Sequence, residues 1–210
     1  MGFWDLFKKF QGAPDVLDGK MHKMADVYKD MDGDVAEFQR GCGFECLKVC
    51  GHCCENPMVE ATELEMLPLA GSLVQAGTAE DWYLVAEQHD FSGRCIFFQP
   101  EIKPGVRGHC GIYEHRPLVC RLFSSSCNQD KYGKLRLIVC SPIKQAFGPF
   151  VDKAEADILS GRLKAPMMAT YAMRAMAVDA DLERERYPIN MAFKKAVDRV
   201  WIHQQFAGKS

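Results

Sequence analysis

Nowhere in its 210 residues does the sequence string together the roughly 18 apolar residues that a membrane-spanning helix needs. No span is expected. The amino-terminal segment also lacks the continuous apolar stretch of an export signal, and position 6 is Leu6 rather than the Ser or Thr that myristoylation of Gly2 requires. Charge of one sign is equally scarce. With 26 Lys and Arg against 28 Asp and Glu, the net charge is −2 and there is no basic block, so bulk electrostatics give no reason to expect a nucleic-acid partner. Phosphate loop, dinucleotide fingerprint and Ser-His-Asp arrangement are all missing, which removes the usual sequence warrants for an enzyme. The expectation is a cytoplasmic chain, in a compartment where thiols stay reduced. Hydrophobic content of 48% and charged content of 26% are those of a folded globular protein.

What the sequence has in quantity is cysteine: ten in all, five of them within the thirteen residues from Cys42 to Cys54. The Cys46-x3-Cys50-x2-Cys53-Cys54 core puts the turn former Gly51 inside a C-x-x-C and a fourth sulfur directly beside the third. Thiolates are soft ligands for zinc or iron, and one metal needs several of them converging. Buried cysteine often acts as a small hydrophobe, but this segment has little apolar periodicity with which to bury five sulfurs. A disulfide framework belongs to small secreted chains. Thiol exchange is a sharper competitor, because Cys50-Gly51-His52-Cys53 is letter for letter the C-x-x-C of protein disulfide isomerases. Such a site follows a hydrophobic strand and opens a long helix. Here the stretch from Phe44 is a poor central strand, Val49 stands where an aromatic is expected, and Pro57 soon interrupts any helix. Metal ligation is the reading the cluster favours.

Around the cluster the pattern is mainly helical. Phe3, Phe7 and Phe10 with Trp4 and Leu6 have helical spacing, and Asp5 among them favours docking on the protein itself over a membrane interface. A helix is expected from about Asp18 to Met31, with Met21, Met24, Val27, Tyr28 and Met31 as its buried stripe, broken at Asp32-Gly33-Asp34. Asp32, Asp34 and Glu37 lack the pattern of an EF-hand and read as a cap and a solvated face. Thr62 with Glu65 is a capping box, and Pro68 predicts a kink or restart before Gly77. A further helix over Ala79–His89 turns Trp82, Leu84 and Val85 inward. Arg94–Phe98 reads as a short buried strand, Pro104-Gly105 as a loop, and Pro117 as a helix start whose first turn carries Cys120 and whose amides favour a negatively charged sulfur site. Lys134–Cys140 reads as a strand and Pro142 starts a helix to about Ser160. From Gly161 on, Met167, Met168, Tyr171, Met173, Met176 and Val178 read as core rather than copper ligands, Glu183–Arg186 as a solvated charge run, and Ala192–Phe206 as a last helix carrying Val197, Val200 and Trp201.

Cys46-x3-Cys50-Gly-His-Cys53-Cys54, then Arg94-Cys95-Ile-Phe, then Cys110-Gly-Ile-Tyr113-Glu-His-Arg116-Pro117-x2-Cys120-Arg121-x-Phe123, then Cys140, resembles the YkgJ-type cysteine-cluster family of zinc- or iron-chelating domains over about residues 42 to 145. The resemblance implies eight metal-binding positions: Cys46, Cys50, Cys53, Cys54, Cys95, Cys110, Cys120 and Cys140. Cys42 and Cys127 fall outside the pattern. A similar domain occurs in flagellin lysine methylases, which are much larger chains, so that activity does not carry over.

Eight thiolates exceed the needs of one four-coordinate zinc, and the adjacent Cys53 and Cys54 are expected to aim at different points, which favours a polynuclear or paired arrangement. Arg94, Arg116 and Arg121 are the expected compensators of its negative charge, with apolar walls from Ile96, Phe97, Ile112 and Phe123. The cofactor is expected to be an iron–sulfur cluster, or else zinc, in a structural, metal-handling or sensing protein. The alternative is an enzyme using the centre for methyl transfer or redox chemistry, with His52, His109 and His115 as candidate acid–base groups. The expected fold is α+β, mostly helical: N-terminal helices to residue 41, a cysteine-rich domain over 42–145 with short strands, and a C-terminal helical region over 146–210.

Overall fold

The structure, a computed structural model, describes residues 16–47, 50–89, 93–101 and 108–207. The aromatic stretch Met1–Phe10 and the Pro104-Gly105 loop lie outside the described residues. The fold is α+β and mostly helical.

Helix α1 runs from Val16 to Cys42 without a break. Its 3–4 periodicity buries Leu17, Met21, Met24, Tyr28 and Met31, and two turns later Phe38 and Cys42. The expected break at Gly33 does not occur. Glycine there costs only about 1 kcal/mol against alanine, and the flanking acids hold tertiary partners: Asp32 pairs with Arg121 and Asp34 accepts from the Tyr171 hydroxyl. They are neither a cap nor a purely solvated face.

Strand β1 (Glu60–Thr62) leads into α2 (Glu63–Ala76), whose Thr62 hydroxyl accepts from the Glu65 amide. Half of the capping box forms; the Glu65 carboxylate turns inward instead. Pro68 sits within an unbroken helix, which ends on Gly77 in the left-handed region at φ 72°. In α3 (Ala79–Gln88) Trp82 packs on Phe97, but Leu84 is exposed, contrary to the expected inward face.

Three short antiparallel pairs follow: β1 with β6 (Arg186–Pro188), β2 (Phe98–Pro100) with β3 (Gly108–Cys110), and β4 (Ser126–Gln129) with β5 (Leu135–Ile138). The strand expected over Arg94–Phe98 starts only at Phe98, and Cys95–Phe97 form a buried turn. The remaining helices are α4 (Leu118–Leu122), α5 (Ser141–Leu159), α6 (Met168–Val178), α7 (Ala180–Glu183) and α8 (Ile189–Ala207). Helix α5 kinks at Phe147, two residues before Pro149. On α6 Tyr171 is buried while Met173 and Met176 face out, so the methionines are only partly core. The charge run at Glu183 also differs from expectation, since Glu183 is buried and its carboxylate accepts from the Thr62 hydroxyl.

Two apolar cores result. The larger joins α1, α2, α3, the Cys95–Phe98 turn, α4, α6 and α8 through residues such as Leu64, Phe97, Leu122 and Phe193. The smaller gathers Phe38, Cys42, Phe44, Cys127, Ile143, Val151, Ala154 and Ile158.

Candidate metal centre

All eight cysteines singled out from the sequence line one cavity of about 50 Å³, several times the roughly 10–15 Å³ that a single water occupies. They reach it from four separate segments: Cys46 to Cys54, Cys95, Cys110 with Cys120, and Cys140. Leu47, Val59, Ile112, Pro117, Phe123 and Ile189 complete a largely apolar wall. Ile112 and Phe123 are there as expected; Ile96 and Phe97 belong to the core instead. Cys42 and Cys127 do not reach the cavity and lie in the smaller core.

Local folding explains how each segment arrives. Cys50–Cys54 form a tight turn, with the Cys54 amide donating to the Gly51 carbonyl at 2.9 Å and Gly51 at φ 59°. A Cβ at Gly51 would sit 2.3 Å from the Phe98 ring and 3.2 Å from the Gly108 backbone, so only glycine lets this turn rest on the β2–β3 pair. The turn opens no helix, unlike a thioredoxin-like site. The Cys54 carbonyl in turn accepts from the Cys95 amide at 2.9 Å. Register places Cys110 opposite Phe98. Cys120 rides on α4, whose Leu118 amide donates to Glu65 Oε2 at 2.9 Å. That amide thus serves a carboxylate rather than a sulfur.

Two positioning residues were not foreseen. Ser124 has φ 65°, in the left-handed region that non-glycine residues rarely adopt, and its Oγ accepts from the Cys140 amide at 3.1 Å. Buried Asn190 grips the Cys95 turn from both sides: its Oδ1 accepts from the Ile96 amide and its Nδ2 donates to the Arg94 carbonyl, each at 3.0 Å. The Ser-Ser-Ser run after Phe123 was the available hint for the first; nothing local marks the second.

The sulfurs interact directly. The Cys54 thiol is hydrogen-bonded to both Cys53 and Cys110, so the neighbours Cys53 and Cys54 do converge, against the expectation that they diverge. Donation from Cys54 lowers the Cys53 thiol to about 6 and lowers Cys110 also, while Cys54 itself is driven up. Burial raises Cys46, Cys120 and Cys95, the last to about 12. Among the described residues, no three His, Cys, Asp or Glu side chains come together closely enough to hold a metal ion as they stand. The eight cysteines line a common space. The donor set suits a soft metal.

Of the three arginines, Arg116 alone lines the cavity, donating to the Tyr113 and Cys120 carbonyls and lying over the Tyr113 ring. Arg121 is buried over Tyr28, donates to the Arg116 carbonyl at 2.6 Å and pairs with Asp32, and Arg94 lies over Phe98. Neither lines the cavity, so the expected trio reduces to one. His52 lines the cavity, His109 pairs with Glu101 at 3.3 Å, and burial beside Arg121 lowers His115 to about 4.

Residues 45–141 match the CxxCxxCC family, described as a "putative zinc- or iron-chelating domain". The resemblance read from the cysteine spacing is borne out over that stretch, and the match supports zinc or iron binding. All eight cavity cysteines lie inside it, and Cys42 lies outside. An uncharacterized protein of Methanocaldococcus jannaschii is 33% identical over 126 residues, covering 57% of this chain and 61% of the relative, so the chain spans less than two thirds of that protein. No solved structure matches the chain. Among the described residues, no helix is long and apolar enough to cross a membrane.

Proposed function

We propose that the chain is a metal-centre protein in which Cys46, Cys50, Cys53, Cys54, Cys95, Cys110, Cys120 and Cys140 hold a polynuclear iron–sulfur or zinc centre. One observation carries the reading: these eight, and neither of the other two cysteines, surround a single apolar-walled cavity. Thiolates bind metal only when deprotonated, and a cation offsets the burial that otherwise keeps Cys46, Cys95 and Cys120 neutral. Cys53 and Cys110, already acidified by Cys54, are the first to ionise. Arg116 supplies positive charge beside Cys46, Cys53, Cys110 and Cys120. An iron–sulfur centre would bring electron transfer or oxygen sensing, and zinc a fixed structural charge.

The helices over 16–41 and 146–207 serve this centre as scaffold, and the cavity lining holds no carboxylate among the described residues. Handling or sensing of metal is therefore favoured over methyl transfer, redox catalysis or thiol exchange. Anaerobic purification followed by metal and acid-labile sulfide analysis decides the matter. Iron with matching sulfide and broad visible absorption supports a cluster; colourless protein with about two zinc ions supports paired sites; metal-free protein with S–S bonds among the eight refutes the proposal.

A further inference from the structure

Beside the α4 turn that carries Cys120, two carboxylates are buried together, and the centre proposed above uses neither. Glu65 on α2 is fully buried and Glu183 at the end of α7 is 4% exposed. Glu65 joins three elements: its Oε2 accepts from the Leu118 amide at 2.9 Å, its carbonyl accepts from the Tyr28 hydroxyl at 2.6 Å, and its amide is held by Thr62. The Thr62 hydroxyl also donates to Glu183 Oε2 at 2.6 Å. Arg186 Nη2, on β6, stands 3.5 Å from Glu65 Oε1 and 3.7 Å from Glu183 Oε1. Among the described residues, Glu65 Oε1 has no hydrogen-bond partner.

The other charged groups nearby are committed elsewhere. On α4, Arg121 lies over the Tyr28 ring but pairs with Asp32 of α1. From α8, Arg199 reaches α2 at Glu63. One half-exposed guanidinium therefore serves two buried carboxylates, and with both ionised the group carries a net charge of −1 in the interior. Like charges in such a site do not both ionise without a large penalty.

We propose that Glu65 is a positioning residue for the cysteine centre: of the two buried carboxylates it alone holds a proton, and its neutral form seats the α4 turn that carries Cys120. The inference rests on Cys120 belonging to the centre. The proton enters from bulk solvent past Arg186 and settles on Glu65 Oε1, turning carboxylate into acid, while Oε2 keeps the Leu118 bond. Glu183 stays ionised against Thr62 and Arg186. Loss of the proton leaves two negative charges that only water at the α2–α4 seam relieves. Admission of water loosens Leu118 and, two residues on, Cys120. Burial first, and then Glu183, raise Glu65 from the ordinary carboxylate range to about 8. A group raised in the folded state stabilises the fold fully below its unfolded value and loses that contribution as pH rises through 8.

The test uses the full chain, loaded with zinc or with iron, as wild type, Glu65→Gln and Glu183→Gln. Melting temperature and the rate of chelator-driven metal release are read from pH 6 to pH 9. Wild type and Glu65→Gln are expected to release metal alike at pH 6, where folded Glu65 is neutral, while the wild-type melting temperature already lags there because the carboxylate of the unfolded chain ionises above about pH 4. At pH 9 the wild type is expected to melt roughly 5 °C below Glu65→Gln and to release metal about tenfold faster. The thiols titrate alike in both chains, so the difference belongs to Glu65. Glu183→Gln, which leaves Arg186 to Glu65 alone, shifts the wild-type step to lower pH, and that shift decides the question should Glu65→Gln not fold. Identical pH profiles overturn the proposal. A melting difference without a release difference overturns the positioning role and leaves a purely structural acid. Failure of wild type to take up metal at pH 6 is read before any variant and refutes the centre itself.

Discussion

Cys54 and Cys127 are both buried thiols whose ionisation the fold opposes, and their surroundings differ in every other respect. Cys54 faces a cavity, and its sulfur touches two further sulfurs. Cys127 is fully buried in the smaller core, with its amide donating to the Pro166 carbonyl at 2.8 Å and its strand paired to Leu137. Cys42 resembles Cys127, its thiol donating to the Phe44 carbonyl at 3.3 Å. Burial thus does not separate a ligand from a packing residue. What separates them is whether the sulfur meets other sulfurs across a space or meets methyl groups and backbone.

The largest expected effect on that contrast comes from Cys54→Ser. Removing the thiol that links Cys53 to Cys110 should abolish most metal binding and with it the metal-linked stabilisation, about 2.7 kcal/mol at a hundredfold excess of metal over its dissociation constant. Metal content by mass spectrometry and melting with and without added metal check this. Asn190→Ala touches no sulfur, yet it frees the Cys95 turn, and a loss of about 10–100-fold in metal affinity is expected by competition with a chelator. Cys127→Ser leaves a hydroxyl in an apolar core at a cost of about 1–3 kcal/mol in denaturant unfolding, with metal content unchanged. Cys42→Ser is smallest, below about 1 kcal/mol, because a serine hydroxyl can also donate to the Phe44 carbonyl. Equal metal content in Cys54→Ser and Cys42→Ser would erase the distinction between the two sets.

Sulfur positions were legible because ligand spacing is a local pattern, and so were the helix ends at Thr62, Gly77 and Pro142. Errors arose where distant partners overrode local preference. Asp32-Gly33-Asp34 has the composition of a break, but its acids reach Arg121 and Tyr171, and the helix continues. Glu183 sits in a run of charges and is nonetheless buried against Thr62, 121 residues away in sequence. Arg121 looked equivalent to Arg116, and only the fold separates them, Arg116 lining the cavity and Arg121 turning to Tyr28 and Asp32. Asn190 acts on residues 94 positions or more away, a distance at which no spacing rule operates.

The unbroken α1 has a mechanical consequence. At 27 residues it is a beam of roughly 40 Å, anchored by its first half in the larger core and by Phe38 and Cys42 in the smaller. Angular phase is therefore transmitted along it: one residue inserted at exposed Gly33 would swing everything downstream by about 100° and pull Phe38 and Cys42 from their sockets. Seven inserted residues restore the phase almost fully but lengthen the beam by about 10 Å. The two cores are geared together by the count of residues between them, so length variation in this helix is tolerable only where both anchors move with it.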